Sequence, residues 1–304
     1  KKTKDVLVQM AGIAAMGEGS TQWINAGAME NRGVELNLGY RKTTNGGFHY
    51  DIAGNFSTYR NKITALPSTV DANGTFGGNG VKSVIGHPMG AQVGYVADGI
   101  FKSQEEIDNH AKQDGASLGR MRWKDLDGNN VITEADQDWI YDPIPDFSYG
   151  LNVYLEYKNF DFTMFWQGVQ GVDIISDLKK QTDIWAGLNI GFLNKGQRLL
   201  NAWSTTNPDS NIPALSLSDN NNEKRVSTYW VENGSYLKLR TIQLGYNLPK
   251  SMTNRLAMQR LRFYLSAQNL LSIHSKSFTG VDPENPNYGY PIPLNITFGI
   301  NVTF

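Results

Sequence analysis

Asn295-Ile296-Thr297-Phe298-Gly299-Ile300-Asn301-Val302-Thr303-Phe304 is the stretch whose reading decides the fold. Ile296, Phe298, Ile300, Val302 and Phe304 are apolar, and the residues between them are Thr, Gly and Asn. This strict period of two gives a strand one apolar face and one polar face. About ten tilted residues also suffice to cross a bilayer as a β-strand. Length, pattern and a final aromatic together predict the closing strand of an outer-membrane barrel.

The pattern recurs upstream. Val34, Leu36, Leu38 and Tyr40 alternate with polar residues and glycine, as do Phe48, Tyr50, Ile52 and Phe56. Asn45-Gly46 between these two runs predicts a hairpin turn. Phe147 through Tyr157 and Phe160 through Trp166 repeat the alternation across the tight Lys158-Asn159 step. Ile242–Leu248 and Leu261–Ala267 add two more strands, and Asp5–Met10 is a weaker candidate. The polar face so defined carries Glu35, Asn37, Arg41, His49, Asp51, Asn55, Asn152, Glu156, Gln243, Asn247, Arg262 and Gln268. A polar lumen follows from a barrel alone, so this set does not mark a substrate site. Trp166 falls on the apolar, lipid-side register.

Composition permits this reading and excludes others. The 304 residues carry a net charge of −1, which offers no basic field for nucleic acid. Mean hydropathy is negative, and no run approaches the roughly 18 apolar residues of a membrane-crossing helix. Strands that alternate leave average hydropathy looking soluble, so a barrel remains open. The chain has no cysteine, which removes disulfides and thiolate sites. It opens Lys1-Lys2-Thr3-Lys4, without Met or an apolar signal region, as a mature protein or a fragment would.

The connections between the roughly eight strands fall into two classes. Short ones follow Tyr40, Tyr157 and Leu248, and long ones run about 11–31, 61–145, 171–235 and 272–294. Outer-membrane barrels have short periplasmic turns and long external loops. Counting back from a periplasmic Phe304 puts every long loop outside, provided that the β-like Val84–Phe101 stretch stays within the 61–145 loop.

Several short phrases resemble the SusC/RagA family, the TonB-dependent importers of Bacteroidetes. They begin with Asn25-Ala26-Gly27, Asn31-Arg32-Gly33-Val34-Glu35, Gly94-Tyr95 and Asp98-Gly99-Ile100-Phe101. Arg198-Leu199-Leu200-Asn201-Ala202-Trp203 and Glu232-Asn233-Gly234-Ser235-Tyr236-Leu237-Lys238-Leu239-Arg240 follow. Leu244-Gly245-Tyr246-Asn247-Leu248-Pro249, Gln268-Asn269-Leu270 and Gly280-Val281-Asp282-Pro283-Glu284 complete the set in the family's order. The resemblance implies an all-β, antiparallel transmembrane barrel of about 22 strands, of which this chain supplies about the last eight. The family's plug, its TonB-contacting segment and its first strands have no counterpart here. The resemblance further implies a SusD-like surface lipoprotein capping loops 61–145 and 171–235, TonB acting through a plug, and an N-terminal barrel portion beside this one. The whole would import oligosaccharides or oligopeptides as a multi-pass barrel in the outer membrane of a Gram-negative bacterium. A non-transporting scaffold subunit, or a narrow eight-stranded closed barrel, remains an alternative. Phe304 would then be part of the signal that the barrel-insertion machinery reads.

One loop motif carries chemistry of its own. Asp125, Asp127 and Asn129 stand at positions 1, 3 and 5 of a calcium-type loop, with Val131, Thr133 and Asp136 at 7, 9 and 12. A hard cation takes such alternating oxygens because an extended turn brings every second residue inward. Asn130 stands where Gly is usual, and Asp136 is shorter than the usual Glu. Calcium is therefore expected to stiffen an external loop, with a metal-free Asx-turned loop as the plainer reading. Trp123, Trp139, Trp185 and Trp203 are candidate contacts for substrate or lid, set against simple packing among loops. The four histidines show no metal spacing, and no Ser–His–Asp set has motif context, so no enzyme is expected.

Overall fold

The computed structural model describes residues 1–10, 22–66, 84–183, 196–216, 221–286 and 289–304. Eight antiparallel strands form one sheet: β1 (Lys2–Met10), β2 (Gln22–Thr43), β3 (Phe48–Ala65), β4 (Phe147–Tyr157), β5 (Phe160–Gln170), β6 (Tyr236–Asn247), β7 (Arg260–His274) and β8 (Asn295–Thr303). Their spatial order follows the chain, so every connection joins neighbours. Among the described residues no helix is long and apolar enough to cross a membrane.

Register shows why the alternation is consistent from strand to strand. Across the sheet Tyr40 faces Ile52, Ile52 faces Val153, and Val153 faces Met164. Met164 then faces Ile242, Ile242 faces Ala267, and Ala267 faces Ile296. A slip of one residue anywhere would put this row on the opposite face. The face that carries this row is widely exposed toward its outer strands, where Leu38 is 65% exposed and Phe298 67%. A row of exposed large apolar side chains of this kind suits a nonaqueous medium, since water-soluble proteins keep contiguous apolar patches small.

The other face is polar and held by charge. Arg41 pairs with Asp51 across β2 and β3, and Arg262 donates through Nε to Asp161 at 2.9 Å across β6. Asn247 joins this group from β6, donating to Asp161 at 3.2 Å. A bulge between Leu239 and Thr241 leaves Arg240 as an extra residue, which reaches Gln167 on β5 at 2.9 Å.

Two features differ from the sequence reading. The β2–β3 turn is a hairpin, but the left-handed residue is Gly47 (φ 78°), one place after the Asn-Gly step. The strands also run further than the alternation does. β2 starts at Gln22 and β3 ends at Ala65, both inside stretches taken as loop. Residues 28–33 lack alternation, yet ladder bonds to β3 carry them, with Met29 opposite Ile63 and Asn31 opposite Asn61. Val84–Phe101 lies apart from the eight-stranded sheet. Its strands Gln92–Tyr95 and Ala97–Ile100 pair with Gln137–Tyr141 and Met121–Trp123.

Candidate functional site

The long connections fold together at one end of the sheet. Ile100, Phe101, Met121, Trp123 and Trp230 are fully enclosed there. A polar frame ties these segments together. Arg120 pairs with Glu223 at 2.9 Å, Glu223 also accepts from the Met121 amide, and Gln113 bridges the Met121 carbonyl, the Trp123 amide and Asn221. The Arg225 guanidinium lies over Tyr95 at 4.4 Å and over Trp123 at 5.3 Å. The charged and amide groups of this frame are paired, as burial requires, while Trp123 Nε1 and Ser227 Oγ are buried without a hydrogen-bond partner.

This packing decides the role of individual tryptophans. Trp123 is fully buried, so it is core and out of reach of a ligand. Trp139 is half-buried and stacks on His87 at 3.7 Å. Trp203 is half-buried and closes over Gly119, where a Cβ would meet its ring at 2.4 Å. Trp185 lies outside the described residues.

The 125–136 loop is turned by its own side chains. The carboxylate oxygens of Asp125, Asp127 and Asp136 come within 4.8 Å of one another. Asp125 accepts from the amides of Gly128 and Asn130 at 2.8 Å, and Asp127 from that of Asn129 at 3.0 Å. Asn129 accepts from the Val131 amide at 2.8 Å. Asn130, standing where Gly is usual, takes the left-handed φ of 63° that this position demands. Thr133 caps the short 3-10 turn Glu134–Asp136 reciprocally with Asp136. Burial disfavours charge on Asp136, but amide donors from Thr133, Leu126 and Asp127 outweigh it and hold the carboxyl below its usual range. The donor set is all hard oxygen, the chemistry that calcium takes. Asp125, Asp127 and Asp136 would supply charge, and Asn129, Val131 and Thr133 neutral oxygens.

A second constellation has no single-motif signal in the sequence. The phrases 232–240 and 280–284 meet in space. Lys238 donates to both oxygens of Asp282, at 2.5 and 2.7 Å, and to Glu284 at 2.6 Å. Arg240 pairs with Glu284, and the Tyr236 hydroxyl donates to Glu284 at 2.7 Å. Burial disfavours charge on Glu284, yet Lys238, Tyr236 and Arg240 hold its carboxyl below the usual range. Only complementary charge in two distant phrases could have hinted at this cluster.

No family model matches the chain. The chain is 34% identical over 308 residues to TonB-dependent receptor P3 of Formosa agariphila, covering 94% of this chain and 30% of the relative. It is 27% identical over 319 residues to TonB-dependent receptor SusC of Bacteroides thetaiotaomicron, covering 100% of this chain and 29% of SusC. Among solved structures, the RagAB peptide transporter superposes with a TM-score of 0.78 at 26% identity, over 100% of this chain and 32% of that one. The chain's homologues are TonB-dependent receptors that include SusC, and its fold is that of the RagAB transporter. The chain spans about a third of the length of the relatives it matches, and corresponds to a C-terminal segment of them. The sheet is thus the arc of a transmembrane barrel, with its apolar face outward to lipid and its polar face toward the lumen. Those relatives are described as receptors and a peptide transporter, not as enzymes.

Proposed function

We propose that this chain forms the C-terminal part of the wall and outer mouth of a SusC-like importer, in the outer membrane of a Gram-negative bacterium. The substrate is an oligosaccharide or oligopeptide, and TonB drives uptake through a plug that is separate from this arc. The observation that carries this reading is the match of the whole chain to an arc of the RagAB peptide transporter. The long-loop end faces outside, with loops 61–145 and 171–235 as the seat of a SusD-like lipoprotein. Support comes from the folded, frame-bound loops at that end and the short turns at the other. Uptake of labelled glycans and peptides by cells carrying the complete gene, with and without the neighbouring lipoprotein, tests this. Assembly of an intact complex that moves neither ligand class would favour a scaffold subunit instead.

The 125–136 loop is proposed to bind calcium through Asp125, Asp127, Asn129, Val131, Thr133 and Asp136, which would brace the outer mouth. Calcium should slow proteolysis within this loop, and Asp127→Asn should remove that protection. Equal cleavage with calcium and with chelator rejects the site. Phe304 is proposed as part of the insertion signal; it directly follows β8 and is 79% exposed. Phe304→Ala should lower the amount of assembled barrel before it lowers uptake per barrel. Normal insertion with poor uptake would reverse that assignment.

A further inference from the structure

The connection after β7 folds back onto the start of β6. Phe278 is buried, with the His274 ring edge-on at 5.5 Å. Thr279 donates to Glu232 through its amide at 3.0 Å and its hydroxyl at 2.7 Å. Three residues later Asp282 and Glu284 meet Lys238, whose side chain is only 3% exposed. A tight turn shapes the carboxylates, with the Glu284 amide donating to Asp282 at 2.8 Å and that of Asn285 to the Asp282 carbonyl at 3.0 Å.

The register says on which side this happens. Lys238 sits opposite Gln167, between the apolar rows of Leu239–Trp166 and Leu237–Gly168. Lys238 and Gln167 therefore share the polar face, and Arg240 reaches Gln167 from the same side. Residues 282–284 accordingly meet the lumen-side face of β6 close to its long-loop end, and Thr279 is held by Glu232 just beyond that end. Two cations meet two carboxylates there, so the cluster is closed in charge. Removing Lys238 would leave Asp282 without a cation while Glu284 keeps Arg240 and Tyr236, a strongly unfavourable change for a buried carboxylate. Arg240 and Glu284 keep 20% and 24% exposure, which leaves one edge of the cluster facing the passage.

We propose that residues 278–284 are a fixed strap against the inner wall near its long-loop end, latched by Lys238, which narrows the passage and presents the Arg240–Glu284 edge to solute. The narrowing of a solute path rests on the importer reading; the latch itself does not.

The test uses the complete receptor in intact cells, with single cysteines on a cysteine-free background and a membrane-impermeant maleimide. Val281→Cys, at a position 61% exposed, should label in every background, and Phe278→Cys should be protected. Adding Lys238→Met should raise labelling of Phe278→Cys at least about tenfold, since protection follows local opening. The swap K238D/D282K should restore protection while Lys238→Met stays open, and heat-modifiable mobility confirms folded barrel in each variant. Continued protection with Lys238→Met, or free labelling with Lys238 present, overturns the latch. Where the parent imports a ligand, Lys238→Met should shift uptake toward larger ligands of the same class. Unchanged size preference with an opened strap overturns the narrowing, whereas a parent that imports nothing counts against the importer reading alone.

Discussion

The wall and the loop layer of this molecule are held by opposite means. The wall's apolar face is widely exposed, and the chain meets its polar face where residues 282–284 reach Lys238. The wall's order comes from continuous strand ladders and from a face whose apolar side chains meet lipid instead of core. The loop layer has short strands and few ladders, and it is ordered by an enclosed core around Trp123 and Trp230 with the Arg120–Glu223 frame. One region borrows its solvent from the membrane; the other builds a water-soluble interior. Damage to either should therefore stay local.

The largest separation should come from Trp123→Ala. Emptying a fully buried tryptophan site costs about 3–5 kcal/mol. Protease should then cut the 97–141 region rapidly while the barrel keeps its heat-modifiable mobility. Loss of both together would show that wall and loops form one cooperative unit.

Leu265→Arg attacks the other side of the comparison. Leu265 sits between Leu244 and Phe298 on the lipid face, and a cation there costs about 2–4 kcal/mol near the bilayer midplane. Assembled barrel should fall sharply, and whatever assembles should retain protease-resistant loops. Normal assembly would put this row of residues away from the hydrocarbon.

A smaller, pH-dependent effect belongs to the loop layer alone. Asp136 is held below its usual range, so its contribution is complete above the ordinary carboxylate range. The contribution drains away as pH falls through the lowered value, because the unfolded loop then takes up the proton more readily. Acidification should loosen the 125–136 loop before the wall, and Asp136→Asn should flatten that response. An identical acid profile in the variant would remove Asp136 from the cause.

The wall was legible in sequence because period two is a local signal. Ile296 to Phe304 states its own faces, and register merely repeats them from strand to strand. The ends of β2 and β3 were not legible, since Ala28 to Gly33 are carried by hydrogen bonds to a partner that no local pattern reveals. Trp123 could be read as platform or packing until the 113–123 and 221–231 segments were seen to close over it. The approach of Asp125, Asp127 and Asp136 was legible because they lie within twelve positions of one another. Lys238 and Asp282 lie 44 positions apart, and only folding makes them neighbours.

The length of β2 has a mechanical consequence. Twenty-two residues at about 3.3 Å each make a ribbon of roughly 70 Å. Even tilted at about 40°, a strand needs only about half of that to cross the apolar band. The rest, braced by β3, stands clear of the bilayer as a stiff palisade beside the mouth. A protein seated there would rest on an extension of the wall itself, so force on that partner would reach the barrel through backbone rather than through loops.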